Sequence, residues 1–115
     1  MDSLQNLHAA MRAFAEERDW RQYHSPKNLA MALCGEIGEL AEHFQWLTEE
    51  ESKHFSGKKL QAVAQEMADV QLYLILLADA LGLDLIEEAR NKMRINAERY
   101  PVAKSRGRSA KYTEL

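Results

Sequence analysis

The stretch from Lys58 to Leu81, KKLQAVAQEMADVQLYLILLADAL, decides the fold. Leu60, Val63, Ala64, Met67 and Val70 recur at the three- and four-residue steps of one helical face. From Leu72 to Ala78 the segment turns apolar on nearly every face, and a helix apolar all round needs cover on all sides. In a chain of 115 residues, one domain with a modest core, part of that cover is expected from another subunit. Gly82 then reads as the C′ residue that ends the helix.

The same periodicity extends outward in both directions. Residues 3–18 read as a first helix with Leu4, Leu7, Met11 and Phe14 at helical spacing, followed by a polar, aromatic connector from Asp19 to His24. Ser25-Pro26 forms an N-cap with proline at the first helical position, which predicts a second helix from about Lys27 to Trp46. On it Leu29, Leu33, Ile37, Leu40 and Phe44 are expected to face the core. Gly35 and Gly38 lower its helicity and suggest close helix packing or close ligand approach. Residues 48–57 break the pattern and read as an exposed connection with a short helical turn. Asp84 and Glu87 have capping-box spacing, so a fourth helix is predicted from Leu85 to Arg99, ending before Pro101. There is no strand alternation and no repeat. The expected fold is all-α, an antiparallel four-helix bundle that is oligomeric, with residues 1–103 as the bundle and 104–115 as a basic C-terminal tail.

Composition is that of a globular protein, 46% hydrophobic and 29% charged, which excludes wholesale disorder. The net charge of −3 hides an asymmetry: residues 1–89 hold 7 Lys+Arg against 16 Asp+Glu, and residues 90–115 hold 8 against 2. A basic tail can bind nucleic acid or a membrane surface, and it can equally supply cations to phosphates beside an acidic site. Cys34 is the single cysteine, which excludes an intrachain disulfide, and its apolar neighbours predict a buried structural thiol. The longest apolar run falls far below the ~18 residues that span a bilayer, and no signal pattern precedes the first helix, so a cytoplasmic protein without membrane association is expected.

Chemistry is concentrated in Glu36-Ile37-Gly38-Glu39 and Glu66-Met67-Ala68-Asp69. Residues three apart on a helix have Cβ atoms roughly 5–6 Å apart, so each half is a two-carboxylate claw. Glu-x-x-Glu is among the commonest patterns of solvated helices, and one half alone carries little. Brought together, four carboxylates repel and require protons or a metal. A set of oxygen donors suits Mg²⁺, with Mn²⁺ as the second choice, better than zinc or iron. The di-iron pattern of bundles needs Glu-x-x-His on facing helices, and neither half has a histidine so placed.

Beyond the acids, the chain resembles the all-α nucleoside triphosphate pyrophosphohydrolases of the MazG type, and most closely their short dCTP pyrophosphatase branch. The resemblance lies in Glu17-Arg18-Asp19-Trp20, Pro26-Lys27-Asn28-Leu29, Gly35 to Glu42, Phe44-Gln45-Trp46, Glu66 to Val70, Lys92-Met93-Arg94-Ile95-Asn96, Arg99-Tyr100-Pro101 and Lys111 to Leu115. It implies that Glu36, Glu39, Glu66 and Asp69 hold Mg²⁺ and are catalytic, and that water attacks the α-phosphorus of a deoxynucleoside triphosphate to give a monophosphate and pyrophosphate. dCTP or a modified dCTP is the implied substrate, with broad dNTP clean-up as the alternative. By the same resemblance Lys92 meets the phosphates, Asn96 the nucleotide and Tyr73 the sugar, with Tyr100 and Lys111 nearby. It also implies that Trp20 and Trp46 form a base pocket with His24 and Asn28 at its mouth. Lys92, Asn96 and Tyr100 share one helical face by spacing, and Glu42 lies one turn beyond Glu39 as a supporting residue. Where the branch often has a histidine in the first helix, this chain has Met11. The resemblance also implies a homodimer or homotetramer.

A helical interaction or nucleic-acid-binding module that works through its basic tail is the reading from another class. The four acids count against it, because without metal they would face a polyanion.

Overall fold

Ser25 Oγ accepts a hydrogen bond from Asn28 N at 3.1 Å and Pro26 stands at the first helical position, so the second helix begins where the sequence predicts. The computed structural model describes residues 3–115 and, among them, five α-helices. These are α1 (Leu4–Glu17), α2 (Pro26–Glu42), α3 (Gly57–Ala80), α4 (Leu85–Arg99) and the single turn α5 (Val102–Ser105). Single 3-10 turns lie at Arg21–Tyr23, Glu51–Lys53 and Tyr112–Glu114, and no strand occurs among the described residues. The all-α fold read from periodicity is therefore present. No described helix is long and apolar enough to cross a membrane.

The chain divides into two units, the first ending at Leu83 and the second Asp84–Leu115. In the first, α3 packs against both α1 and α2. Ala15, Leu29 and Leu76 are buried together, with Met11, Tyr73 and Leu77 packed on them, and Val63, Ile75 and Ala78 are buried elsewhere along α3. Two left-handed residues end helices in this unit. Gly82, at φ 68°, lets Leu83 N reach Ala78 O at 2.9 Å and Gly82 N reach Asp79 O at 3.1 Å, the paired bonds of a Schellman motif. Asp19, at φ 54°, makes the same pair at the end of α1, through Trp20 N to Ala15 O at 3.0 Å and Asp19 N to Glu16 O at 3.1 Å.

Several expectations for α2 are corrected. The helix ends at Glu42 rather than Trp46: His43 N and Phe44 N bond to the carbonyls of Leu40 and Ala41, three residues back, and the last turn tightens out of α geometry. Thr48 and Glu51 then exchange reciprocal capping bonds, Thr48 N to Glu51 Oε1 at 2.9 Å and Glu51 N to Thr48 Oγ1 at 3.1 Å. Ile37 and Phe44 do not enter the core. The inward positions are Leu29, Leu33, Glu36, Leu40 and His43 at alternating four- and three-residue steps, which turns Ile37 outward. Phe44 instead meets Phe55 edge-on, with centroids 5.0 Å apart. Cys34, expected to be buried, lies on the same outward side as Ile37 and is exposed. At Gly35 and Gly38 a Cβ would meet nothing within 4 Å, so close packing does not explain these glycines within the described residues.

Helix α3 is less covered than its composition demands. Ile75, Leu76 and Ala78 are buried, but Leu60, Met67, Leu74 and Leu81 are 50%, 57%, 38% and 53% exposed. These four stand at seven-residue intervals, two helical turns apart, and so form one apolar stripe along the helix.

In the second unit Asp84 Oδ1 accepts from Glu87 N at 3.1 Å and opens α4 as its spacing predicts. The segment after Pro101, which includes the basic tail, forms short helical turns and folds back onto the end of α4. Tyr112 meets Tyr100 edge-on at 5.9 Å, and the Arg99 guanidinium lies 4.7 Å from the Tyr112 ring centroid.

Candidate active site

Glu36 takes a place in the apolar seam of α2, one turn beyond Leu33 and one before Leu40, where α2 meets α3. Glu39 follows one turn later, and Glu66 comes from the facing helix. One carboxylate oxygen from each of Glu36, Glu39 and Glu66 lies within 4.8 Å of the others. Two of the three residues are half-buried and Glu39 is exposed. The Oε2 atoms of Glu36 and Glu66 are buried and have no hydrogen-bond partner.

Such an arrangement is unstable with every carboxylate charged. Burial pushes the Glu36 carboxyl up to about 7, and the charges of Glu39 and Asp69 and the hydrogen bonds with Glu39 and Glu66 add to the rise. Two ionised carboxylates offer only acceptors to each other, so the cluster is satisfied by a shared proton or by a cation. The donor set is oxygen alone, and two of its oxygens are buried and otherwise unpartnered. Both facts fit a hard divalent ion such as Mg²⁺ or Mn²⁺. Glu42 is exposed at the end of α2 and lies outside this cluster.

Asp69, one turn beyond Glu66, acts on Glu36 through its charge without joining the three-residue cluster, and it also lines a pocket. The pocket encloses about 250 Å³ between α1, the connector and α3. Its walls are Met11, Phe14, Ala15 and Trp20 on one side and Leu72, Tyr73 and Leu76 on the other, with His24 and Asp69 as polar members. Trp20 and Phe14 meet edge-on with centroids 5.7 Å apart. The slot is mainly apolar, edged by aromatic rings and a few polar groups, and Asp69 links it to the carboxylate cluster, features common in small-molecule sites.

The structure thus brings together Trp20, His24, Tyr73 and Asp69, and separately Glu36, Glu39 and Glu66. Asn28 does not line the pocket; its Nδ2 donates to Tyr23 O at 3.1 Å and ties the connector to the start of α2. Trp46, on the turns after α2, is 87% exposed and outside the pocket lining. Lys92, Asn96, Tyr100 and Lys111 belong to the second unit, the first two exposed on α4 and Lys111 exposed in the folded-back tail. Phe14, Leu72 and Leu76 went unrecognised in the sequence as site residues, since apolar residues at helical spacing read simply as core.

The connector that carries Trp20 and His24 is anchored by charge. Arg12 Nε donates to Asp79 Oδ1 at 3.1 Å, and Arg21 reaches Glu16 at 2.9 Å and Asp79 at 3.9 Å. The Asp79 side chain is 15% exposed, and Arg12 holds its carboxyl below the ordinary aspartate range.

Known proteins bear on this arrangement. Residues 31–115 match the profile of the MazG-like family. The dCTP pyrophosphatase 1 of Bos taurus is 44% identical over 117 residues, covering 100% of this chain and 68% of its own. That of Homo sapiens is 45% identical and covered to 67%. A crystal structure of a pyrophosphatase from Archaeoglobus fulgidus DSM 4304 superposes with a TM-score of 0.77 at 35% identity, over 88% of this chain and 94% of its own.

Proposed function

The chain belongs to the MazG-like family and is a nucleotide pyrophosphohydrolase, and from that premise we propose that it hydrolyses dCTP or a modified dCTP to the monophosphate and pyrophosphate. The observation that carries this reading is Asp69, which lines the aromatic pocket and whose charge acts on Glu36 of the acid cluster. A nucleobase seated between Trp20 and Tyr73 would point its phosphates toward the acids. Stacking on tryptophan contributes roughly 1–3 kcal/mol per base and orients the ring without reading its edge.

Glu36, Glu39 and Glu66, with Asp69, form the set that would hold Mg²⁺, or Mn²⁺ in its place. When bound, such an ion would neutralise charge developing on the phosphoryl oxygens and lower the pKa of the attacking water. Glu39, the exposed member of the cluster, is assigned to orient a water or take its proton. The water oxygen joins the α-phosphorus, the bond from that phosphorus to the bridging oxygen breaks, and its electron pair leaves with pyrophosphate. Tyr73, which lines the pocket, is assigned to the sugar and His24 to the base edge. On the resemblance and their shared helical face, Lys92 and Asn96 are assigned to the phosphates and nucleotide, with Tyr100 and Lys111 as further contacts. Trp46 and Asn28 keep base-side assignments on the resemblance alone.

The experiment is to incubate the protein with each dNTP and Mg²⁺ in ¹⁸O-water and resolve the products. Monophosphate carrying the label is expected. Diphosphate plus phosphate, or label in the pyrophosphate, would refute attack at the α-phosphorus. The same panel tests a second reading, broad dNTP clean-up. That reading is favoured by a lining that offers few polar groups, those of His24, Tyr73 and Asp69 and the indole N–H of Trp20.

Self-association completes the proposal. The exposed stripe Leu60, Met67, Leu74 and Leu81 supports a second copy of the chain as the missing cover of α3, in a homodimer or homotetramer.

A further inference from the structure

The aromatic wall of the pocket is held from outside. Asp19 adopts a left-handed backbone that few non-glycine residues take, and this turn brings the Trp20 indole back onto Phe14. Gln22 Nε2 donates to Asp19 O at 2.9 Å and to Asp19 Oδ2 at 3.1 Å, which braces the turn. Beside it the Arg18 guanidinium lies 3.5 Å from the Phe14 ring centroid and 5.9 Å from that of Trp20. Arg18 Nη1 also donates to Phe14 O at 3.1 Å. Its ion pair with Glu17, 3.6 Å long between side chains 41% and 72% exposed, is too solvated to fix its position. Arg18 does not line the pocket.

The geometry points to Arg18 as a positioning residue for substrate recognition. Stacked on Phe14 and beside Trp20, it holds the indole edge-on to Phe14, so the slot for a flat aromatic ring is formed before any ligand arrives. A planar, charged face is required for this, because the guanidinium must lie against the ring while one of its nitrogens reaches the backbone carbonyl. The gain is preorganisation: a wall already ordered does not have to be ordered when the ligand binds. The inference rests on reading the pocket as the nucleobase site.

The test separates the two claims. Trp46→Phe leaves Trp20 as the single tryptophan, because the chain has 2, so its emission reports on the wall alone. In that background Arg18→Leu and Arg18→Lys are compared with the parent by acrylamide quenching of the free protein. Steady-state kinetics with dCTP are measured for the same two substitutions in the otherwise native chain. Loss of the cation–π contact predicts a rise in the quenching constant and about a two- to fivefold rise in KM for Arg18→Leu, with kcat unchanged. Arg18→Lys keeps a cation but loses the flat face, and is expected to fall between parent and Leu. Unchanged quenching and KM, a fall in kcat with KM unmoved, or a Lys variant no better than Leu would each overturn the assignment. If the native chain hydrolyses no dNTP, the site reading fails, and quenching still decides whether Arg18 orders Trp20.

Discussion

Binding of Mg²⁺ to this protein is expected to release a proton, and the size of the effect follows from Glu36. Its carboxyl is pushed up to about 7 by burial, by the charges of Glu39 and Asp69 and by its hydrogen bonds to Glu39 and Glu66, and a ligating carboxylate must be ionised. At about pH 8 roughly nine-tenths of the molecules have Glu36 ionised, and at about pH 6 roughly one-tenth, so the apparent Kd should weaken about tenfold between them. Proton release should accordingly be about 0.9 per ion at the lower pH and about 0.1 at the higher. Isothermal titration calorimetry in two buffers of different ionisation enthalpy measures both quantities. Glu36→Gln should bind more weakly and lose most of the pH dependence. Equal affinity across the range, or no proton released at about pH 6, would refute the assignment of Glu36 as a ligand forced out of its proton. The metal-free protein gives the converse sign. Between the ordinary glutamate value of 4.5 and about 7, the folded chain keeps a proton that the unfolded chain has lost, so this group's contribution to stability falls as pH rises through that window.

Glu39→Gln should abolish turnover while far-UV circular dichroism stays that of the parent; persisting activity would move the cation site elsewhere. Leu29→Ala, at a position 2% exposed, should lower unfolding free energy by about 2–5 kcal/mol in a denaturant titration. Asp79→Asn removes a carboxyl held low by Arg12, a contribution present above the ordinary aspartate value of 3.8 and lost as pH falls through the folded one. The gap in stability between parent and variant, followed by thermal melts, should therefore be open at neutral pH and close in acid. Met67→Glu combined with Leu74→Glu places charge on the exposed stripe of α3, and static light scattering should report a smaller particle with unchanged helicity.

The helices and the acid cluster were legible because both depend on local spacing. Ser25-Pro26, Gly82 and Asp84 carry their capping chemistry in their own side chains or in the lack of one, and Glu36, Glu39 and Glu66 needed only their i,i+3 spacing and two helices that meet. Hydrophobicity alone turns Ile37 inward, and here it chooses the wrong face. The structure gives that place to Glu36, whose cost of burial is offset only by what α3 brings opposite, and no local pattern reports that. The end of α2 was legible in Thr48-x-x-Glu51, a capping box overlooked beneath the run of acids around it. Asp19 was not: an aspartate in a left-handed turn has no glycine to announce it, and the turn is stabilised by bonds back to Ala15 and Glu16 and by the meeting of Trp20 with Phe14.

Helix α3 carries Glu66 and Asp69 on one turn and Leu72, Tyr73 and Leu76 of the pocket on the next two, with the Leu60 to Leu81 stripe along its outer side. These are fixed to one rod, in which a step of one residue is a turn of 100° and a rise of about 1.5 Å. No small shift of α3 can refit the pocket without also displacing the acids and the stripe. Under the proposed function, changes of base preference are expected across the slot, at Met11, Phe14, Trp20 and His24, which lie off α3 and can change without moving the acids it carries. On that reading, displacement of α3 as a body should cost pocket, acids and stripe together, whereas substitutions in α1 and its connector should retune the pocket alone.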